Sequence, residues 1–282
     1  MSRIRRNNKL VLPFVKWVGG KRQLLNEVEK HIPEQFSRYY EPFVGGGAVL
    51  FYLQPKNAVI NDSNEELVNL YNVIKESPEE LIEDLKKHKN EEKYFYDIRG
   101  IDREREKYQV LTRIQRASRI IFLNKTCYNG LFRVNSSGEF NSPFGRYKNP
   151  NIVNDIIIRA VGNYLSKNNI QILNTDYEKS LSKTRKGAFV YFDPPYYPIS
   201  DSSSFTGYTK KGFDRTEQER LKKVCDKLND KGVNFLLSNS STEFIRDLYK
   251  DYNIFSIKAK RAINSNGDGR GEITEVLVRN YE

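Results

Sequence analysis

The most distinctive chemistry in the sequence lies directly after an apolar run, where Asp193, Pro194, Pro195 and Tyr196 follow one another. The two prolines restrict the backbone, so the Asp193 carboxylate and the Pro194 carbonyl oxygen can point into one crevice. Two adjacent acceptors match the two protons of an exocyclic amine, and the Tyr196 ring can stack on a planar base. The pattern predicts methylation of adenine N6, cytosine N4 or an amide. A loop whose aspartate only caps backbone amides is the alternative.

A glycine turn and a downstream acid form a second candidate group. Gly45, Gly46 and Gly47 follow an apolar strand, and Asp62 lies 17 residues beyond Gly45, at the end of the next apolar run. Glycines let the backbone approach a nucleoside, and a carboxylate at this position can accept from both ribose hydroxyls. The turn lacks the full G-x-G-x-x-G pattern because position 50 is Leu. By itself it is compatible with a nucleotide site or an ordinary tight turn.

These groups must be positioned by alternating strands and helices. The patterns predict strands at 39–44, 58–62, 170–174, 189–193, 233–238, 253–257 and 273–278, and helices at 48–53, 64–75, 217–228 and 242–248. A further helix is predicted from Pro78 to near Glu92, and another ends near Lys125. The fold class is therefore α/β, a mostly parallel sheet with helices on both faces, and ligands are expected at the carboxyl ends of the strands.

One segment interrupts this alternation. Charged helices lead into turn signals at 128–130 and 137–138 that bracket a β-hairpin. We expect a catalytic domain formed by residues 1–75 and 152–282, with residues 76–151 inserted as a target-recognition domain.

The net charge and its distribution along the chain indicate an anionic partner. The net charge is +11, and residues 1–30 carry eight basic and two acidic side chains, whereas residues 113–150 carry seven basic side chains against the single acid Glu139. Six aromatic residues are interleaved with this charge between 122 and 147, a mixture suited to phosphates and stacked bases. The alternative is a solvated helix followed by a hairpin with its own small core.

Several classes are excluded. No apolar run approaches the roughly 20 residues of a membrane span, and the basic arm with Arg3, Arg5 and Arg6 is not followed by a signal-peptide core. Two cysteines give no disulfide framework, so a cytoplasmic protein is expected. Two histidines without partners at ligand spacing predict no metal site. The polar segments 200–204 and 264–271 are predicted to be mobile loops.

Several motifs in order identify a family that the chain resembles, the Dam-type DNA adenine-N6 methyltransferases, of the alpha group of amino-methyltransferases and of restriction-modification type. The motifs are Phe14-Val-Lys16-Trp17-Val-Gly-Gly-Lys21, Glu41-Pro-Phe43-Val-Gly45-Gly-Gly47, Asn61-Asp62, Tyr128-Asn129-Gly130-Leu131-Phe-Arg133, Pro143-Phe-Gly-Arg146-Tyr-Lys148 and Asp193-Pro-Pro-Tyr196. The resemblance implies a Rossmann-like fold, S-adenosylmethionine as methyl donor and a palindromic GATC target in double-stranded DNA.

The resemblance also assigns residues. The donor pocket would be lined by Trp17, Lys21, Phe43, Asp62, Asp176 and Asp193, and Gly45 of the glycine turn is expected beside it. DNA would be contacted by Lys16, Tyr128, Asn129, Leu131, Arg133, Pro143 and Arg146. Physical chemistry supports two of these roles, since an arginine can read guanine O6 and N7 and an aromatic ring can wedge into the stack that a departing adenine leaves.

The expected reaction is methyl transfer to a flipped adenine held by Asp193, Pro194 and Tyr196, with no metal and no covalent intermediate. A monomer suffices for a palindrome methylated one strand at a time. Cytosine-C5 chemistry is rejected because Cys127 follows Thr and Cys225 follows Val, where a nucleophile after proline is expected. Methylation of RNA or of another amino group, and a catalytically idle DNA-binding protein, stay as alternatives.

Overall fold

The computed structural model describes residues 8–17, 19–21, 24–199, 213–260 and 272–282. The basic arm with Arg3, Arg5 and Arg6 lies outside these residues, and so do the loops predicted at 200–204 and 264–271.

Seven strands form one sheet in the order β3-β2-β1-β4-β5-β7-β6. Neighbouring strands are parallel except at β7, which runs antiparallel to both β5 and β6. The strands are β1 (Tyr39–Glu41), β2 (Asn57–Asn61), β3 (Asn169–Leu173), β4 (Phe189–Phe192), β5 (Asn234–Ser240), β6 (Asn253–Lys260) and β7 (Glu272–Arg279). The mostly parallel α/β sheet predicted from the sequence is confirmed, and the reversal of β7 is an addition to that prediction.

Successive residues of the central strands face opposite sides of the sheet. In β4, Phe189 and Tyr191 belong to one apolar cluster, whereas Val190 and Phe192 belong to another, and all four are buried. The period of two is that of a β-strand, and burial of both faces explains why the strand is apolar throughout. Helices therefore cover both faces, as predicted.

The helices are α1 (Leu25–Lys30), α2 (Ala48–Leu53), α3 (Glu65–Glu76), α4 (Pro78–Leu85), α5 (Glu92–Gly100), α6 (Arg105–Gln109), α7 (Arg113–Thr126), α8 (Asp155–Lys167), α9 (Tyr177–Ser180), α10 (Arg215–Asp230) and α11 (Glu243–Leu248). Side-chain caps fix several N-termini: Asn64 accepts from the N–H of Leu67, and Thr112 forms a capping box with Gln115.

Helix α4 begins at Pro78, as predicted, but it ends at Leu85, so the predicted end near Glu92 was wrong. The chain leaves α4 after Leu85, and His88 turns inward to stack on Phe122 of α7 with ring centroids 4.4 Å apart. Glu92 instead begins α5. Burial of the His88 ring against α7 requires the chain to leave the α4 axis.

The residues between α7 and α8 form the predicted hairpin in a short form. Val134 and Phe140 make an antiparallel bridge, Cys127 and Phe144 make a second, and Gly138 takes a φ of +86° in the turn between Val134 and Phe140. The pairing amounts to these isolated bridges rather than a continuous ladder. Helix α7 packs against α3 and α4, and α4 packs against α8.

In the part of the chain that the structure describes, no helix combines the length and apolar character needed to cross a bilayer.

Candidate active site

The parallel register gathers the chemically distinctive residues at one edge of the sheet. Glu41 at the end of β1 pairs with Ile60 of β2, and β4 ends at Phe192, immediately before Asp193. The glycine turn follows β1 and Asp62 follows β2. The carboxyl ends of parallel strands lie at the same edge, so the predicted donor turn and the predicted catalytic loop are neighbours.

The glycine turn is closed by Asp62. Its carboxylate accepts from the N–H of Gly45 at 3.0 Å and from the N–H of Asn64 at 2.9 Å. Burial raises the pKa of Asp62, and these backbone N–H groups oppose that shift. Gly47 has a φ of +71°, and a Cβ there would lie 2.5 Å from the Tyr71 hydroxyl oxygen. Only glycine fits at position 47.

Trp17 covers this turn. A Cβ at Gly45, which has a φ of +49°, would lie 3.0 Å from Cδ1 of Trp17, and one at Gly46 would lie 3.1 Å from Cβ of Trp17. Three of the residues predicted for the donor pocket, Trp17, Gly45 and Asp62, are therefore brought together.

Asp193 is held by a cation and a hydroxyl. Lys21 Nζ lies 2.8 Å from Asp193 Oδ1, and Ser238 Oγ donates to the same oxygen at 3.0 Å. Burial acts to lower the pKa of Lys21, but the Asp193 carboxylate overcomes this effect and raises it. The pairing keeps an ammonium group beside the carboxylate, and Lys21 Nζ also lies 4.5 Å from the centroid of the Tyr196 ring.

The loop after Asp193 is fastened to β5 and α10. Gln218 donates from Nε2 to the Pro195 carbonyl at 2.9 Å, and Asn239 Oδ1 accepts from the N–H of Tyr197 at 3.0 Å. Asn239 also donates to Gln218 Oε1 at 3.0 Å, and Ser240 Oγ donates to the Tyr197 carbonyl. Polar residues at the end of an apolar strand were the available sequence signal, and the sequence reasoning missed them.

Glu41 is a second residue that the sequence reasoning did not assign. It is buried, accepts from the Tyr39 hydroxyl at 2.9 Å, and burial raises its pKa well above the usual value. The sequence signal that could have identified Glu41 is a carboxylate that follows apolar residues of a strand and precedes the glycine turn. A buried acid at this point can remain protonated and donate a hydrogen bond.

Phe43 and Asp176 lie on the α9 side of this edge. Phe43 packs against Tyr177, with ring centroids 5.1 Å apart. Asp176 caps α9 through the N–H of Glu178 and pairs with Arg220 of α10 at 2.7 Å. Burial raises the pKa of Asp176, but Arg220 overcomes this effect and lowers it. Asp176 also lines an open groove of about 670 Å³ between α9 and α10.

The predicted DNA residues form one surface. Lys16 Nζ donates to the Asn129 carbonyl at 2.8 Å, and the N–H of Tyr128 donates to the Pro143 carbonyl at 2.8 Å. Tyr128 is 58% exposed, which is unusual for a ring of its size and suits a wedge. Arg133 is exposed and its Nε donates to Asn141 Oδ1 at 2.8 Å. The remaining predicted contacts are Leu131, whose carbonyl accepts from Ser142, and Arg146, which pairs with Glu92 at 3.0 Å.

A buried amide that the sequence reasoning missed joins the backbone of Lys16 to this surface. Asn124 of α7 accepts from the N–H of Lys16 at 2.8 Å and donates to the carbonyls of Lys16 and Gly130 at 2.8 and 3.0 Å. One side chain thus fixes the segment before Trp17 against the turn that follows Tyr128.

Comparison with known proteins identifies the class. Residues 17–263 match the family described as D12 class N6 adenine-specific DNA methyltransferase. The chain belongs to this family and is an adenine-specific DNA methyltransferase, so the family and enzyme class expected from the motifs are confirmed.

Individual relatives are similar over nearly the whole chain. The type II methyltransferase M1.LlaDCHI of Lactococcus lactis subsp. cremoris is 45% identical, covering 100% of this chain and 99% of its own length. The type II methyltransferase M.MjaIII of Methanocaldococcus jannaschii is 43% identical over 96% of this chain and 99% of its own. A DNA adenine methylase of Serratia marcescens is 34% identical over 94% and 97%, respectively.

Proposed function

We propose that this chain is a site-specific methyltransferase that moves a methyl group from S-adenosylmethionine to N6 of a flipped adenine in double-stranded GATC. The observation that carries the proposal is the arrangement around Asp193, where Lys21 and Ser238 hold the carboxylate beside the Tyr196 ring. The type of DNA site rests on the resemblance of the 128–146 motifs to Dam-type enzymes.

Asp193 and the Pro194 carbonyl would accept the two amine protons of the target adenine. With both protons held, the nitrogen lone pair is directed out of the ring plane and toward the methyl carbon. The N–C bond forms as the S–C bond breaks, the S–C electron pair goes to sulfur, and one amine proton leaves along its hydrogen bond to Asp193. Lys21 and Ser238 both contact Oδ1 of Asp193 and would hold the carboxylate in place during this step.

The chain's own residues fit a nucleoside-containing donor. The glycine turn presents backbone without side chains beside Trp17, and the Asp62 oxygens retain lone pairs after accepting the N–H groups of Gly45 and Asn64. When bound there, the donor supplies an electrophilic methyl group whose transfer neutralises a sulfonium charge. Phe43 and Asp176 would complete the pocket on the α9 side.

DNA would be held by residues 76–151, acting as the target-recognition part between the catalytic segments 1–75 and 152–282. Arg133 would read guanine in the major groove, and Tyr128 would fill the space left by the flipped base. The contacts with DNA would be completed by residues of the same surface, namely Lys16, Asn129, Leu131, Pro143 and Arg146. We expect a monomer to suffice, and sedimentation of the free enzyme would test that expectation.

The decisive experiment uses labelled S-adenosylmethionine and two unmethylated duplexes that differ only in whether GATC is intact or its adenine is moved. Label in N6-methyladenine on the GATC duplex alone is the expected result. Label on both duplexes would remove the GATC assignment and keep the reaction. An Asp193→Asn variant serves as control: it should bind the duplex and lose turnover by about a hundredfold or more, whereas near-normal turnover would overturn the role of Asp193.

Label in an RNA of the same sequence, with none in DNA, would favour the RNA alternative. Duplex binding without transfer or donor binding would favour the idle DNA-binding protein.

A further inference from the structure

Glu275 lies where the reversed strand β7 enters the catalytic edge of the sheet. It pairs in register with Ser240 at the end of β5 and with Ile257 of β6. Because β7 is antiparallel to β5, its first residues stand beside the last residues of β5, where the catalytic loop is fastened. A residue near the start of β7 is therefore placed within reach of the Asp-Pro-Pro-Tyr loop.

The contact that results is direct. The Tyr196 hydroxyl donates to Glu275 Oε2 at 2.7 Å. The backbone of Tyr196 directly follows Pro194 and Pro195, which restrict it. Lys21 Nζ lies 4.5 Å from the centroid of the Tyr196 ring. The ring is thus restrained at its backbone end, at its hydroxyl and over one face. In the proposed reaction, the target adenine would stack on the other face.

We propose that Glu275 is a positioning residue for methyl transfer: by accepting the Tyr196 hydroxyl, it fixes the ring on which the target adenine stacks. The inference rests on the proposed function and deepens it, since it explains how the stacking surface is held in place. Hydrogen bonds to a charged acceptor are short and stronger than neutral ones, so the carboxylate suits this role. Glu275 acts through Tyr196 and touches neither the base nor the donor.

A double-mutant cycle tests this role. Glu275→Gln keeps an acceptor oxygen for the Tyr196 hydroxyl, and we expect a single-turnover rate within about threefold of wild type. Glu275→Ala removes the acceptor, and we expect a loss of about ten- to hundredfold. The affinity for S-adenosylmethionine should stay unchanged in both variants, because neither alters the glycine turn. Glu80→Ala, on the exposed face of α4, is the matched control.

The second side of the cycle uses Tyr196→Phe, which keeps the ring and removes the hydroxyl. If Glu275 acts through that hydroxyl, Glu275→Ala has no further effect in the Tyr196→Phe background. An equal loss from Glu275→Ala in both backgrounds would overturn the proposal and would assign Glu275 a direct effect on Lys21 or on the base. Circular dichroism and thermal melting identify a variant that fails to fold. If Glu275→Ala fails to fold, Tyr196→Phe alone removes the same hydrogen bond, and a wild-type rate in that variant would overturn the proposal.

A readout without catalysis separates this inference from the proposed function. With 2-aminopurine in place of the target adenine, stacking on the Tyr196 ring should quench the fluorescence of the extruded base in wild type and in Glu275→Gln. Glu275→Ala should be brighter, and Tyr196→Phe with Glu275→Ala should match Tyr196→Phe alone. If wild type did not methylate DNA, the proposed function would fail while this fluorescence cycle still decided the role of Glu275.

Discussion

Trp17 stacks on Phe132, with ring centroids 4.4 Å apart and an interplanar angle of 22°. Trp17 covers the glycine turn predicted to hold the methyl donor, and Phe132 is buried between Leu131 and Arg133 of the predicted DNA surface. One aromatic pair therefore connects the predicted donor site with the predicted DNA surface. An aromatic pair of this kind contributes about 0.5–1.5 kcal/mol beyond the area that it buries.

The first prediction uses this contact, because Trp17 is the only tryptophan in the sequence. Phe132→Leu should shift tryptophan emission to longer wavelength, as Trp17 loses its partner. It should also weaken S-adenosylmethionine binding by about three- to tenfold, the equivalent of the lost stacking energy. Titration of the donor, followed by tryptophan fluorescence, measures both effects.

The control is Phe36→Leu, since Phe36 packs against Tyr39 and Phe189 at the amino ends of β1 and β4, away from the glycine turn. It should leave donor affinity unchanged. Equal weakening in both variants would indicate a general loss of packing and would contradict a specific role for the Trp17 contact.

The sequence predicts the sheet well because its central strands carry a simple signal. The short apolar runs at 39–40, 58–60 and 189–192 are buried on both faces of the sheet, and an acid follows each of them within two residues at the carboxyl edge. The Asp193 and Asp62 groups were found for that reason. At Asp62 and Asp193, the local sequence pattern identifies residues that the fold places at the carboxyl edge of the sheet.

What the sequence did not reveal depends on contacts between distant segments. The reversal of β7 has no local signal, because an apolar strand reads the same in both directions, and so Glu275 was not assigned. Asn124 and Gln218 lie inside amphipathic helices, where a polar residue usually faces water. Only the packing shows that these amides are buried against the backbone of Lys16 and of the catalytic loop.

A second prediction concerns the amide of Asn124. Asn124→Leu keeps the side-chain size but leaves the N–H and C=O of Lys16 and the Gly130 carbonyl without this partner. We expect a loss of about 1–3 kcal/mol in the free energy of unfolding. We also expect GATC binding to weaken more than donor binding, because Lys16 and the turn after Tyr128 are no longer fixed together.

Denaturant unfolding and duplex titration measure the two effects, with exposed Asn163→Leu on α8 as the matched control. Unchanged duplex affinity in an Asn124→Leu protein that had lost stability would limit Asn124 to a structural role.

A third prediction contrasts two arginines of the DNA surface. Arg133→Ala should reduce discrimination at one base pair by about 1–3 kcal/mol, as expected for loss of a bidentate guanine contact. Arg146 is exposed and pairs with Glu92, so Arg146→Ala should weaken binding to all duplexes alike and lower the salt dependence. Titrations of GATC and singly substituted duplexes at several salt concentrations distinguish the two patterns, and identical patterns would refute the assignment of Arg133.

A fourth prediction follows from His88, which is enclosed by Tyr94, Ser118 and Phe122. Burial lowers the pKa of His88 to about 4, whereas the unfolded chain titrates near the usual value of 6.5. The unfolded state therefore binds more protons between these values, and the free energy of unfolding should fall as pH decreases from about 6.5 to 4. The contribution is on the order of 2 kcal/mol after allowance for partial exposure.

Chemical unfolding of wild type and His88→Gln at pH 7.5, 6 and 5 tests this prediction. The variant should have the lower stability at pH 7.5 and the smaller decrease on acidification. If the free energies of unfolding of wild type and His88→Gln changed in parallel with pH, His88 would not be the source of the acid-induced loss of stability.

The last prediction concerns the clamp on the catalytic loop. Gln218 is fully buried, donates to the Pro195 carbonyl and accepts from Asn239, which itself holds the N–H of Tyr197. Gln218→Met keeps the length of the side chain and removes both hydrogen bonds. We expect a stability loss of about 1–3 kcal/mol and a lower single-turnover rate at saturating donor and DNA, since the loop that presents Asp193 loses a fixed support.

Gln171→Met is the matched control, because Gln171 is exposed on β3 and contacts Arg38 rather than the loop. A rate measured at a temperature where both proteins are fully folded separates positioning from stability. If Gln218→Met retained the wild-type rate there, two prolines and the Lys21 and Ser238 contacts to Asp193 would suffice to position the loop, and the role of Gln218 would be confined to holding α10 against β5.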